Sequence, residues 1–320
     1  MPKVAIIGNT SWGNTLGGLL GDNGAAVKLW ARSAAEAEER NRGSHSYSCT
    51  SHLQEALDDA DLAIWAVPSQ TLRENVRQAA SYLASRTLLM SAAKGLEVSS
   101  CKRMSQVLAE EVAPHSRGQI CVLSGPNLAK EIARGLPAAS VIAARQASTA
   151  ERARQLMESS RLALSTSDDV IGVELGGALK NIIALGAGVI DGLELGDNAK
   201  GAFISWGWSE VISLGLALGA RADTFSGPAG LGDLIATCSS TLSRNYQVGY
   251  ELARGRSLSE ISASMPHVAE GVATTLAVHR LAKSQGLELP VINLVYGILH
   301  EGLPLSRSSI AFSDLAAAHR

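Results

Sequence analysis

The chain is poor in aromatic residues, which make up 4% of its 320 positions, so its cores must be built from aliphatic and small side chains. It has no excess of either charge: 28 Lys and Arg stand against 30 Asp and Glu, a formal net charge of −2. That leaves no global basic field to hold nucleic acid. No apolar run reaches the roughly 18 residues that read as a membrane span. The four cysteines, Cys49, Cys101, Cys121 and Cys238, form no C-x-x-C pair. Buried free thiols are therefore expected, with no disulfide and no metal site. Met1-Pro2-Lys3 leads straight into a strand-like run, so no signal peptide is expected and the cytoplasm is the expected compartment.

Hydrophobic residues (46%) and charged residues (18%) are in ordinary globular balance, which excludes disorder. A chain this long suits two domains of about 150 residues each better than one core. The first half alternates strand-like runs, Val4–Ile7, Val27–Trp30, Leu62–Val67, Thr87–Met90, Ile120–Leu123 and Ala139–Ala143, with helical stretches such as Trp12–Leu20, Gln70–Leu83 and Lys102–Val112. That order predicts a doubly wound parallel sheet, α/β and Rossmann-like, with helices on both faces. A last strand-like run, Leu162–Ser165, ends in Thr166-Ser167-Asp168-Asp169, a helix-start signal. Beyond it the segments 170–190, 198–219, 244–254, 257–264 and 268–285 read as helices. The expected division is a nucleotide-binding domain over 1–167 and an all-helical domain over 168–320.

Strand Val4–Ile7 runs into Gly8-Asn9-Thr10-Ser11-Trp12-Gly13 and then a helix. A glycine turn there, opening a helix whose first N–H groups are unpaired, is the place for a dinucleotide pyrophosphate. A plain strand–helix turn would carry the same glycines. Thr10 stands where the second fingerprint glycine usually sits, and its Cβ is expected to loosen or shift the cofactor. After Val27–Trp30, an NAD site usually places an acid for the ribose hydroxyl, whereas this chain has Ala31-Arg32-Ser33. An arginine and a hydroxyl suit a 2′-phosphate, so NADP is expected to be preferred or accepted, unless Arg32 is a solvated surface arginine. Lys94, after the strand Thr87–Met90, is either a contact for a polar substrate or a loop lysine in water.

Val170–Ile190 reads VIGVELGGALKNIIALGAGVI. The helical neighbours of Lys180 are Gly176, Gly177, Ile183 and Ala184, so no local acid pairs with it. A lysine in a band of small residues marks a place where another surface or a ligand comes close. It can hold the proton that a hydroxyl loses as hydride leaves, or it can simply snorkel to water. Downstream, Gly227-Pro228-Ala229-Gly230-Leu231-Gly232-Asp233-Leu234 delivers Asp233. Ser243-Arg244-Asn245 opens a helix and combines an N-cap, free N–H groups and an arginine, a pocket suited to phosphate.

Seven motifs occur in order: Ser11-Trp12-Gly13, Ala93-Lys94-Gly95-Leu96-Glu97, Ser124-Gly125-Pro126, Glu174-Leu175-Gly176-Gly177-Ala178-Leu179-Lys180-Asn181, Ala229-Gly230-Leu231-Gly232-Asp233-Leu234, Ser243-Arg244-Asn245 and Glu270-Gly271. Together they resemble the bacterial NAD(P)-dependent sn-glycerol-3-phosphate dehydrogenases over nearly the whole chain. The resemblance implies interconversion of sn-glycerol 3-phosphate and dihydroxyacetone phosphate, run mainly toward reduction for glycerophospholipid synthesis. It makes Lys180 the general acid/base, and Lys94, Gly125, Lys180, Asp233, Ser243, Arg244 and Asn245 the substrate contacts. It lines the NADP or NAD site with Gly8, Ser11, Trp12, Gly13, Arg32, Lys94, Ala129, Arg244, Val268 and Glu270, with Thr237 supporting Asp233. It also implies a homodimer.

The sequence departs from the family pattern in four places. Thr10 replaces a glycine, Asn127 stands where a small hydroxyl residue usually follows Gly-Pro, and Trp206 occupies a position usually held by arginine. The Asn41–Ser51 loop is short, with Tyr47 as a candidate remnant of its usual aromatic. Two other readings compete: a related two-domain dehydrogenase acting on a 3-hydroxy acid or ketopantoate, and a cofactor-binding homologue that no longer catalyses. The Ser243–Asn245 cluster argues against the first. Retention of Lys94, Lys180 and Asp233 argues against the second.

Overall fold

The computed structural model describes residues 1–265, 269–306 and 312–319. The chain forms two compact units: Met1–Lys94 with Arg103–Glu174, and Gly95–Lys102 with Leu175–Arg320.

The first unit is built on eight strands: β1 (Lys3–Ile7), β2 (Ala26–Trp30), β3 (Ser48–Thr50), β4 (Leu62–Trp65), β5 (Leu88–Ser91), β6 (Ile120–Ser124), β7 (Ala138–Ala144) and β8 (Leu162–Ser167). Their order is β3-β2-β1-β4-β5-β6-β7-β8. The central strands are apolar throughout because both sheet faces are covered. One face buries Val4, Ile6, Ile64 and Met90 under the helices Ser11–Asp22 and Ala147–Met157; the other buries Ala5, Ile7, Trp65 and Leu89 under Leu72–Ala79 and Met104–Glu111. Ile7 is in register with Trp30 on one side and Trp65 on the other, so β1, β2 and β4 end together. That shared edge is where an open α/β sheet binds its ligands.

The sheet departs from the expected all-parallel form at β7, which runs antiparallel to β6 and is itself parallel to β8. The connection from Ser124 to Ala138 holds only the one-turn helix Ala129–Ala133, too little structure to carry the chain back across a sheet face.

Among its described residues the second unit has no strand. Its helices are the rest of Val170–Gly192, then Asp197–Ala217, Asp233–Ser239, Arg244–Ala253, Leu258–Ser264, Glu270–Ser284, Pro290–His300 and Phe312–Ala318. Val170–Gly192 is long and apolar enough by composition to cross a membrane, and 83% of its apolar window is buried inside the protein. Close helix packing explains its small residues. A Cβ on Gly188 would lie 2.1 Å from the Tyr246 carbonyl oxygen, and one on Gly249 would lie 1.9 Å from that of Leu185. The helices Val170–Gly192 and Arg244–Ala253 therefore touch backbone to backbone, which only glycine permits.

The helix Pro290–His300 is capped from outside its own segment. Both carboxylate oxygens of buried Glu210 accept its first N–H groups, from Val291 at 2.7 Å and Ile292 at 3.0 Å. A negative charge suits that end of the helix dipole. Burial nevertheless pushes the Glu210 carboxyl above its ordinary range, against those two bonds and the nearby His319.

Candidate functional site

The first unit presents the glycine turn that the sequence marks as the candidate nucleotide site. Gly8 has φ +129°, and a Cβ on it would lie 2.7 Å from the Ala66 carbonyl oxygen. A Cβ on Gly13 would lie 2.1 Å from the Gly8 oxygen. The turn closes only with glycine at both positions, and it delivers the N-terminus of Ser11–Asp22 to the edge where β1, β2 and β4 end. Thr10 is the N-cap of that helix. Its Oγ1 accepts from Gly13 N at 3.0 Å and donates to the Ala66 carbonyl at 2.7 Å. The side chain is thus turned onto the end of β4 and does for the helix start what a glycine cannot.

The predicted cofactor residues of this unit fall around that turn. Ser11 and Trp12 begin the helix, and exposed Arg32 follows β2. The Ala129 carbonyl accepts from Thr15 Oγ1 at 3.3 Å, which brings the start of Ala129–Ala133 against the same helix. Lys94 and Gly125 come together as well: Lys94 Nζ donates to the Gly125 carbonyl at 2.7 Å. Beside them Asn127 Oδ1 accepts from Ser140 Oγ at 2.6 Å. Asn127 Nδ2, Ser91 Oγ and Ser124 Oγ are buried without a hydrogen-bond partner among the described residues. This is a group of unspent polar atoms at the ends of β5 and β6.

The second unit holds the lysine. Lys180 is 6% exposed and Asp233 1% exposed, and the two form a buried ion pair. Lys180 Nζ also donates to Thr237 Oγ1 at 2.6 Å, while Thr237 Oγ1 donates to the Asp233 carbonyl at 2.7 Å. Asp233 and Thr237 sit one turn apart on the helix Asp233–Ser239, so one helix face supplies both partners. A Cβ on Gly176 would lie 2.7 Å from the Ala229 carbonyl oxygen, so the small band beside Lys180 seats the turn that leads into Asp233. Sequence reading missed this pairing because the partners are 53 residues apart.

The neighbouring cluster is tied to the same helix. Ser243 Oγ caps Arg244–Ala253 by accepting from Tyr246 N at 3.3 Å. Asn245 Nδ2 donates to Asn181 Oδ1 at 2.9 Å, and Asn245 Oδ1 accepts from Gly271 N at 2.9 Å. Asn245 thus joins the residue after Lys180 to the start of Glu270–Ser284. Arg244 is solvent-accessible yet ringed by protein. That environment pulls its guanidinium below its ordinary pKa, with the Glu270 carboxylate acting in the opposite direction. Val268, the remaining predicted cofactor residue, lies outside the described residues.

Comparison with known proteins identifies the family of the chain. A family model described as NAD-dependent glycerol-3-phosphate dehydrogenase N-terminus matches residues 3–150, and its C-terminus counterpart matches residues 169–309. The chain belongs to this family. It is 50% identical to a glycerol-3-phosphate dehydrogenase [NAD(P)+] of Dehalococcoides mccartyi, over all of this chain and 92% of that one. It is 45% identical to the Streptomyces avermitilis protein of the same name, over 94% of this chain and 93% of that one. The crystal structure of glycerol-3-phosphate dehydrogenase from Coxiella burnetii superposes with a TM-score of 0.90 at 31% identity, covering 97% of this chain and 98% of that one.

The family is NAD(P)-dependent, and the residues present fit a dinucleotide. Gly8 and Gly13 form the tight turn, the helix start faces the sheet edge, and Ala31-Arg32-Ser33 stands directly after β2. The departures from the glycerol-3-phosphate dehydrogenase pattern have visible partners. Thr10 has its cap and the Ala66 carbonyl. Tyr47, in the short loop, packs on Gly17 and donates to Asn14 Oδ1 at 2.8 Å. Trp206 stacks on His319, with ring centroids 5.8 Å apart, and lies against Phe312 at 6.1 Å, which seats the helix Phe312–Ala318.

Proposed function

We propose that this chain interconverts sn-glycerol 3-phosphate and dihydroxyacetone phosphate with NADP or NAD, mainly in the direction of reduction, to supply glycerophospholipid synthesis. The observation that carries the reading is the buried Lys180–Asp233–Thr237 constellation, joined through Asn181 and Asn245 to a serine-arginine helix start. A hydroxy acid brings one carboxylate charge to that arginine-bearing helix start, whereas a phosphate brings up to two charges and three acceptor oxygens for its N–H groups and guanidinium.

Lys180 gives its proton to the substrate carbonyl oxygen in reduction and takes it back in oxidation, a step worth roughly 10²–10⁴ in rate. Asp233, the partner of Lys180 in the buried ion pair, and Thr237 fix where Nζ points. Ser243, Arg244 and Asn245 take the phosphate. Lys94 and Gly125 are assigned to substrate as a joined pair in the first unit. Gly8, Ser11, Trp12, Gly13, Arg32, Lys94, Ala129, Arg244, Val268 and Glu270 are assigned to the dinucleotide, whose nicotinamide supplies or accepts the hydride when bound. Arg32, in place of an acid, favours NADP.

The test is oxidation of NADPH and of NADH with dihydroxyacetone phosphate as acceptor. Turnover with that substrate and none with ketopantoate is expected, and Lys180→Met should lower kcat while leaving dinucleotide affinity intact. Absence of turnover with dihydroxyacetone phosphate would overturn the reading. A change confined to KM would make Lys180 a binding residue instead. We further propose a cytoplasmic homodimer. Exposed Leu216, Leu231 and Ile235 of the second unit offer apolar surface for it. A monomer by light scattering at micromolar concentration would reject the dimer.

A further inference from the structure

We infer that Arg40 is a second cation for the coenzyme's adenosine 2′-phosphate, acting beside Arg32. The inference rests on the reading above that this chain accepts NADP. It starts from the edge of the first sheet. β1 and β2 end in register, Ile7 beside Trp30, and Gly8 N donates to the Trp30 carbonyl at 3.4 Å. The loops Gly8–Thr10 and Ala31–Ser33 therefore leave the sheet side by side. In a dinucleotide-binding sheet this is where the ribose carrying the 2′ position is held.

Arg32 is exposed at that edge. The Ser33 hydroxyl is engaged as the N-cap of the helix Ala34–Asn41, accepting from Glu36 N at 3.3 Å. The second positive group comes from the other end of that helix. Arg40, half-buried, reaches back so that its Nε donates to Asn9 Oδ1 at 3.0 Å. Asn9 is the residue after the fingerprint glycine. Its position is fixed in turn: Asn14 Nδ2 donates to Asn9 Oδ1 at 3.0 Å and to the Thr10 carbonyl at 2.8 Å, and the Tyr47 hydroxyl holds Asn14 from the other side. Three side chains, those of Asn9, Asn14 and Tyr47, thus lock one guanidinium beside the glycine turn.

That guanidinium is anchored through Nε alone. Among the described residues no carboxylate pairs with it, although Glu36 precedes it by one turn on the same helix and both act on the buried Cys49 thiol. Its two terminal NH2 groups are left as a fixed fork, the arrangement that suits the oxygens of a phosphate. A surface arginine kept only for solubility would not be pinned by a four-residue network. A purely structural arginine would use its Nη groups as well as Nε.

The test compares Arg40→Met and Arg40→Lys with the unmodified full chain, using 2′,5′-ADP and 5′-AMP as probes in calorimetry and NADPH and NADH in turnover. Arg40→Met should weaken 2′,5′-ADP binding roughly 10- to 100-fold, the worth of charge-assisted bonds, and change 5′-AMP binding less than about threefold. The ratio of kcat/KM for NADPH over NADH should fall by the same factor. Arg40→Lys should recover part of the loss, because it returns the charge without the fork. Equal weakening of both probes would mean that Arg40 only shapes the turn, and no change in either would remove it from the site; both overturn the inference while leaving NADP use intact. If the unmodified chain itself binds the two probes alike and turns over NADH alone, the NADP reading fails first and takes this inference with it.

Discussion

The pair Lys180–Asp233 offers a direct measurement of how the site is held. Both side chains are almost out of water, at 7% and 1% exposure, so neither charge can be screened by solvent if the other is removed. Replacing Asp233 with Asn keeps the shape and leaves Lys180 Nζ with an amide and the Thr237 hydroxyl. Breaking a buried ion pair from one side costs about 3–5 kcal/mol, because the remaining charge is desolvated without compensation. Lys180→Met strands the carboxylate and should cost a similar amount. The double variant removes both charges, and its loss should be far below the sum, since replacing a buried pair by neutral groups is often nearly neutral. The thermodynamic cycle should therefore yield an interaction of about 2 kcal/mol or more. Urea unfolding of the four proteins, with hydrogen exchange on peptides covering Val170–Gly192 and Asp233–Ser239, reads this out. If the two single losses add to within about 0.5 kcal/mol, the side chains do not act as a unit and the positioning role given to Asp233 is wrong.

Other consequences follow from the packing and the buried groups. Gly249→Ala pushes a Cβ into the Leu185 carbonyl and should destabilise by about 3 kcal/mol, the upper part of the overpacking range, whereas Gly18→Ala, with nothing within 4 Å, should stabilise by about 0.5–1 kcal/mol; chemical denaturation compares them. Thr10→Ala should cost about 1 kcal/mol through loss of the cap while KM for coenzyme changes less than about threefold, since the side chain points to Ala66; a tenfold rise in KM would mean that Thr10 touches the dinucleotide. Glu210 has a folded pKa raised above its ordinary 4.5, so its contribution is intact below that value and is lost as pH rises through the folded pKa. The Tm of Glu210→Gln relative to the parent chain should therefore improve between pH 4.5 and 7.5, and a flat difference would refute the linkage. The thiols of Cys121 and Cys238 are pushed up to about 12 by burial, and buried Cys49 is raised as well, which leaves half-buried Cys101 as the one thiol that an aromatic disulfide reagent should titrate at pH 8 before unfolding.

The alternating order of the first unit was readable because its central strands are apolar on both faces and are separated by helical stretches. β3 was not, since Ser48-Cys49-Thr50 is three residues long and carries no apolar pattern; it exists because Ala31 N donates to the Thr50 carbonyl and β2 pairs with it in register. The reversal at β7 was equally hidden, because strand direction is set by the connection and not by the strand. In the second unit the long helices showed their periodicity, but Asp233–Ser239 and Pro290–His300 did not. The first is short. The second starts where Glu210, 81 residues earlier, supplies the acceptor for its first N–H groups. The same limit applies to the site: Lys180, Asp233 and Thr237 could each be named from motif and spacing, while the bond between them is a product of tertiary structure.

The family departures make the complementary point. Read along the sequence, Thr10 and Trp206 look like residues of the wrong kind at patterned positions, and Tyr47 like the remnant of a shortened loop. In the folded chain each has acquired work within its own unit. Thr10 satisfies a helix-start N–H and a strand-end carbonyl that glycine would leave to solvent. Tyr47 lies along the helix Ser11–Asp22 and, through Asn14 and Asn9, steadies Arg40. Trp206 gives the last described helix an aromatic seat beside the Glu210 carboxylate. None of the three changes alters the Lys180–Asp233–Thr237 constellation. These departures lie around the glycine turn and at the seat of the last described helix, where a new partner restores what was lost. Around the lysine a displaced charge would have no such remedy.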